Sequence, residues 1–186
     1  MIKELFVVRH GETELNREGR LQGSGQPDLP INTTGIAEVL LIKQRLLTHL
    51  DRAYVSPSLR TRQTADILLR DRNIPCSIEP DLCERNFGSL SGMLRSEVNP
   101  EILAHDFDRG YDYRRFGGDS HEEVTERIVG FLKRLAETPK DRCILLVTHR
   151  GVIRILREIA GAEPDEIAPA SFHRFTLFED GHIVLR

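Results

Sequence analysis

Four short stretches of the chain are apolar on nearly every residue or on every second one. Residues 5–9 (LFVVR), 53–56 (AYVS), 76–80 (CSIEP) and 143–149 (CILLVTH) have the length and β-branched character of strands. The last is apolar on successive residues, as a strand covered on both faces should be. Between these runs the period changes to that of helices. Residues 33–50 (TTGIAEVLLIKQRLLTHL) carry Ile36, Leu40, Leu41 and Leu47 at spacings that gather them on one side, which predicts a helix burying that side. Residues 56–71 open with Ser56 as a candidate N-cap and Pro57 at the first helical position. Residues 120–135 open with the capping box Ser120-x-x-Glu123.

Strands alternating with helices predict an α/β fold with helices on both faces of the sheet. The end of the chain, FHRFTLFEDGHIVLR, places Asp180-Gly181 between two alternating segments, which is a hairpin signature and makes the expected sheet mixed. Residues 91–118 have poor periodicity and several arginines, and read as a cap-like excursion within a single domain spanning 1–186.

Composition narrows the function classes. The 186 residues are enough for one sizeable core, and the formal net charge of −3 comes from mixed signs spread along the chain. No basic block is present to track a polyanion, so nucleic acid is not expected as a partner. Cys76, Cys83 and Cys143 lack metal-ligand spacing and read as reduced thiols. No signal-peptide pattern opens the chain, and no apolar run approaches the roughly 20 residues that span a bilayer, so a cytoplasmic protein without membrane contact is expected.

In open α/β sheets, ligands bind beyond the carboxyl ends of the strands. VVRHG, VSPSLR and LLVTHRG end three of the predicted strands and bring Arg9, His10, Arg60 and His149 toward one edge. Gly11 and Gly151 each follow a strand-terminal histidine and permit close backbone approach, and the helix after Gly151 offers free N–H groups to an anion. Two arginines, backbone donors and an imidazole together suit a phosphoryl group. His10 is the better nucleophile, because the charges of Arg9 and Arg60 depress its pKa, and His149 is left to donate to phosphoryl oxygens.

With these motifs in place, the chain resembles the histidine phosphatase superfamily, the phosphoglycerate mutase-like group, over essentially its whole length. The resemblance implies a three-layer α/β/α sandwich with a mixed, mostly parallel sheet. RHGETELN is similar to the family's Arg-His-Gly signature, which implies His10 as the phosphorylated residue, Arg9 as a phosphate ligand and Asn16 as a further donor. LQG and DLPINTTG resemble the next segment and place Gln22 and Gly23 at the pocket. SPSLRTRQTA implies phosphate binding by Arg60, LCERNFGSLSG implies Glu84 as proton donor, and VTHRG implies His149 as a phosphate ligand. A carboxyl group in that position protonates the departing alkoxide and then takes a proton from the attacking water. No cofactor or metal is expected.

Two departures from the family pattern stand out. SGQP, between Gly23 and Asp28, is longer than expected, and Arg150 follows His149 where a small residue is usual. Arg150 is read as facing solvent rather than widening affinity for anions. Arg85, Arg95, Arg109, Arg114 and Arg115, with Phe107, Tyr111, Tyr113 and Phe116, are candidates to contact the remote part of a substrate. Equally, Asp106, Asp108 and Asp112 are placed to pair with those arginines at the surface.

His121 and His173 are candidates for the mouth of the site. The remaining histidines, His49, His105 and His182, have no ligand spacing. The leading expectation is hydrolysis of small-molecule phosphomonoesters through a phosphohistidine, favoured by the GGDS segment. Phosphoglycerate mutase-type transfer, suggested by ERNFG and by Arg114-Arg115, is the first alternative. A phosphate- or phosphoprotein-binding regulatory module is the second. Oligomeric state is not read from the sequence.

Overall fold

The computed structural model describes residues 2–25, 27–46, 49–104 and 110–186. Expectations for Leu47, His105, Asp106, Phe107, Asp108 and Arg109 therefore fall outside the described residues. In chain order the elements are β1 (Lys3–Arg9), α1 (Glu14–Arg17), α2 (Thr33–Arg45), β2 (Arg52–Val55), α3 (Leu59–Leu69), β3 (Cys76–Ile78), α4 (Pro100–Ala104), α5 (His121–Glu137), β4 (Cys143–Thr148), α6 (Arg150–Ile159), β5 (Phe172–Leu177) and β6 (Ile183–Leu185).

One six-stranded sheet runs in the order β3-β2-β4-β1-β5-β6. β1, β2, β3 and β4 run parallel to one another, β5 runs antiparallel to β1, and β6 returns antiparallel to β5 through the expected Asp180-Gly181 hairpin. Gly181 takes a positive φ of 85° in that turn, which glycine adopts at little cost.

The central strands alternate between two apolar cores. Leu5, Val7, Ile144 and Leu146 pack against Val124, Ile128 and Phe131 of α5 and Val152 and Leu156 of α6. Phe6, Val8, Leu145 and Val147 pack against Val39 and Ile42 of α2 and Ala65 and Leu68 of α3. Burial on both faces is the physical reason these strands lack polar alternation. A third, smaller cluster of Leu21, Phe87, Leu90, Val98, Tyr111 and Tyr113 anchors the excursion beside the sheet.

Two local expectations are corrected. α2 buries Val39, Ile42 and, just beyond it, Leu46, whereas Ile36, Leu40 and Leu41 are exposed at 41%, 44% and 58%. The segment has apolar residues on more than one stripe, and close contact near Gly35 decides which stripe turns inward. A Cβ on Gly35 would stand 2.4 Å from the Glu12 carbonyl oxygen, and one on Gly11 would stand 2.6 Å from that of Gly35, so glycine at both positions lets α2 lie against the turn after β1.

The second correction concerns α3, which begins at Leu59 with Ser58 as N-cap rather than at Pro57. The Ser56 hydroxyl is used on His149, and the first N–H of the helix is capped by Asp28, whose Oδ2 accepts from Leu59 N–H at 2.8 Å. The capping box at α5 forms as expected, with Ser120 Oγ accepting from Glu123 N–H and Glu123 accepting from Ser120 N–H. The three cysteines are free, and no described helix is long and apolar enough to cross a membrane.

Candidate active site

Strand pairing brings distant residues to one edge. Arg9 lies opposite Thr148 at the carboxyl ends of β1 and β4, and Val55 lies opposite Val147 on the other side of β4. The residues that follow, His10, Ser56 and His149, therefore emerge together. The His10 and His149 rings meet edge to face, with centroids 5.3 Å apart.

His10 is 3% exposed, and its Nδ1 lies 2.8 Å from the carbonyl oxygen of Gly11. A carbonyl only accepts, so Nδ1 carries the hydrogen and Nε2 is left with the lone pair. Burial, then the charges of Arg60 and Arg9, hold the pKa of His10 well below the usual histidine range. The ring is neutral near pH 7 and nucleophilic at Nε2.

His149 is fully buried, and burial with the Arg60 charge likewise holds its pKa well below the usual range. Its Nδ1 accepts from Arg60 Nη2 at 3.2 Å, because a guanidinium only donates. The hydrogen therefore sits on Nε2, which donates to Ser56 Oγ at 2.7 Å. Arg60, 1% exposed, also donates to the Gly23 carbonyl at 3.0 Å and pairs with Asp28 at 3.3 Å.

A cavity of about 270 Å³ opens at this edge, and Arg9, His10, Gln22, Glu84, Arg85 and Arg150 are among its walls. Arg9 donates through Nη1 to the Ile167 carbonyl at 2.7 Å, and burial followed by the charge of Arg150 brings its pKa down to about 10. It remains a cation at neutral pH. Nε of Arg9, Nε of Arg60 and Nε2 of Gln22 are buried donors without a hydrogen-bond partner among the described residues. Gln22 Oε1 accepts from the Thr13 hydroxyl at 2.8 Å, which commits its amide NH₂ to the other side. Of these, Arg9 and Gln22 line the cavity, and unpaired buried donors beside a guanidinium suit an anionic acceptor from outside the chain; Arg60 does not line it.

Glu84, 6% exposed, lines the same cavity. One carboxylate oxygen accepts from its neighbour Arg85 N–H and the other from Gly151 N–H, each at 3.0 Å. The N–H that the sequence offered to an external anion at the start of α6 is thus taken by an internal carboxylate.

A strand-terminal histidine with its lone pair on Nε2, a second histidine against it, two buried arginines and a buried glutamate thus stand together in this structure. A sequence profile of the histidine phosphatase superfamily (branch 1) matches residues 5–185. The chain belongs to this superfamily. It is 34% identical over 163 residues to the metal-independent phosphoserine phosphatase of Arabidopsis thaliana, covering 83% of this chain and 67% of that protein. It is 31% identical over 186 residues to phosphoglycerate mutase-like protein 4 of the same plant, covering 95% and 80%. The crystal structure of phosphoglycerate mutase from Thermus thermophilus superposes with a TM-score of 0.74 at 32% identity, covering 98% of this chain and 97% of that one.

Within this histidine phosphatase the other expected site residues divide. Asn16 lines the cavity, but its Oδ1 accepts from Thr13 N–H in the capping box of α1. Gly23 stands behind the wall and contributes the carbonyl that holds Arg60, with Arg85 O only 2.6 Å from where a Cβ would be. Arg85 reaches the cavity while its guanidinium stacks over Tyr111 at 4.3 Å and Phe87 at 5.0 Å.

Arg114 and Arg115 are exposed and do not line the cavity; Arg114 pairs with Asp112 at 2.7 Å, the surface arrangement. His121 is held by Glu158 at 2.9 Å and His173 by Ser171 at 3.1 Å, and neither lines the cavity. Arg150, read from the sequence as facing solvent, is half-buried and lines it. Arg20, Arg95 and the segment 166–169 also line it. Arg95 carried a signal in the arginine-rich excursion, whereas 166–169 carried none, because its contact with Arg9 is made through a backbone carbonyl. Among the described residues no group of three or more His, Cys, Asp or Glu side chains is arranged to hold a metal ion.

Proposed function

We propose that this chain hydrolyses small-molecule phosphomonoesters through a phosphohistidine at His10, with no metal in the reaction. The observation that carries the reading is the hydrogen bond from His10 Nδ1 to the Gly11 carbonyl, which leaves the Nε2 lone pair free beside unpaired arginine and amide donors.

In the first half-reaction Nε2 attacks phosphorus in line, the P–N bond forms, the ester P–O bond breaks, and Glu84 protonates the departing oxygen. In the second, Glu84 takes a proton from water, whose oxygen displaces Nε2 and releases phosphate. Arg9 and Gln22 bind the phosphoryl oxygens from the cavity wall. Arg60 and His149 reach them by giving up the Gly23 carbonyl and the Ser56 hydroxyl, since a dianionic acceptor binds N–H donors more strongly than a neutral one.

Mutase-type transfer is less well supported, because Arg114 and Arg115, which with ERNFG suggested it, do not line the cavity. The test is phosphate release from a panel of phosphomonoesters with and without chelator, with rapid-quench mass spectrometry on the enzyme. An acid-labile phosphoryl adduct on His10, and activity lost in His10→Ala but kept in chelator, are expected. Full activity of His10→Ala would overturn the reading.

A further inference from the structure

Beside the phosphate cavity lies a second one of about 540 Å³, and the two share Arg150 and Glu166 as common walls. Its floor is α6. Arg150, Arg154 and Arg157 recur at helical spacing along that helix, so their side chains form one stripe leading away from His10. All three arginines are half-buried, whereas Glu163, Asp165 and Glu166 at the opposite rim are exposed.

This difference in burial decides the sign of the site. An exposed carboxylate is screened by water more than a partly desolvated guanidinium, so the floor weighs more in recognition of a bound group, with Glu158 its one half-buried carboxylate. Charges of the lining also make contacts within the wall. Arg157 donates to the Glu163 carbonyl at 3.0 Å and pairs with Asp165 at 3.4 Å, which pins the rim loop to the helix. Glu158 is engaged by His121 at 2.9 Å. Arg150 and Arg154 are the cations of the stripe nearest the phosphate pocket. Arg150 is close enough to Arg9 to lower its pKa, a repulsion that an anion lying along this path relieves.

Resting on the phosphatase reading above, we propose that the leaving group of the substrate extends past Arg150 into this second cavity and carries an anionic far end, a carboxylate or a second phosphate, bound by Arg154. The volume exceeds what a phosphoryl group needs and falls within the range of about 300–1,000 Å³ that holds a small organic ligand. The aliphatic stems of the arginines with Ala162 and Pro164 offer apolar surface to the connecting chain. The acidic rim disfavours extended polyanions, so a compact anion on a short organic spacer is the chemistry that fits.

The test uses binding to the His10→Ala protein by calorimetry, so that it does not depend on turnover. The probes are phosphomonoesters of straight-chain ω-hydroxycarboxylic acids of increasing length, the corresponding bisphosphates, and simple alkyl phosphates of matched length. The expected result is an optimum length at which one anionic series binds about tenfold tighter or more than its alkyl counterpart. Arg154→Met should abolish that advantage while leaving alkyl phosphate binding unchanged. Comparison of the carboxylate and bisphosphate series tells which anion is taken.

No advantage at any length, or equal weakening of both series by Arg154→Met, overturns the proposal, as does a gain that grows with alkyl length alone. Turnover of the same probes by the unmodified enzyme is read separately. Its absence would count against the phosphatase reading while the Arg154 binding result still decides the subsite.

Discussion

Glu84 rests on the backbone of Gly151: Oε2 accepts the Gly151 N–H at 3.0 Å, and a methyl group on that glycine would stand 2.1 Å from Oε1. The residue two places after the second histidine thus sets the position of the proposed general acid. Gly151→Ala should push the carboxyl group out of line and lower kcat by about 10²-fold, the scale of a displacement near 1 Å, with KM changed much less. Steady-state kinetics check this, and an unchanged kcat would show that Glu84 is not held for the proton transfer.

Removing the acid itself gives a complementary expectation. Glu84→Gln should keep phosphate binding while kcat on alkyl phosphates falls by about 10² to 10⁴, the usual contribution of a positioned general acid. With 4-nitrophenyl phosphate, whose leaving group needs little protonation, the loss on the first half-reaction should be much smaller. Burst kinetics of nitrophenolate release make the comparison. Equal losses on both substrates would remove Glu84 from leaving-group protonation.

The two buried histidines predict a direction for stability against pH. Both have folded pKa values held well below the unfolded value of about 6.5, chiefly by burial. The unfolded chain therefore takes up protons that the folded one refuses. Their contribution is fully present above pH of about 6.5 and is lost as pH falls below it. Each histidine adds a slope of up to ~1.4 kcal/mol per pH unit. Urea denaturation at pH 7.5, 6.5 and 5.5 measures the total, and His149→Gln should flatten it. For the same reason kcat/KM should show no acid limb at pH 6.5 from His10. An acid limb of kcat/KM near pH 6.5 belonging to the free enzyme would contradict this.

The inward face of α2 is checked by stability alone. Ile36→Gln and Leu40→Gln, at exposed positions, should change unfolding free energy by no more than ~0.5 kcal/mol each. Ile42→Ala, in the core beside Val39 and Ala65, should cost about 2–5 kcal/mol. The reverse pattern in denaturant melts would restore the face that periodicity alone suggested.

Much of the site was legible because its signals are local. Arg9 and His10 follow a β-branched run, Arg60 sits in the first turn after a strand, and His149 ends the most apolar run in the chain. Strand ends collect at one edge of an α/β sheet by topology. Three features were hidden because they depend on partners far along the chain. Glu84 and Gly151 meet only when α6 docks, Arg9 is held by the carbonyl of Ile167, and Arg150 shares a cavity wall with residues 163–166. Arg114 looked like a substrate residue until its neighbour Asp112 claimed it.

By itself the amino-acid order determined the element types, the mixed sheet, and which histidines and arginines gather at the strand-end edge. Each follows from side-chain periodicity, capping groups or turn residues within a few positions of one another. Tertiary structure alone decided which stripe of α2 is buried, which N–H the Glu84 carboxylate takes, which nitrogen of His149 carries the hydrogen, and that Arg150 borders two cavities. Those outcomes rest on packing and hydrogen-bond geometry between groups remote in the chain, where a single contact such as Gly11 against Gly35 selects among arrangements that local pattern leaves equally open.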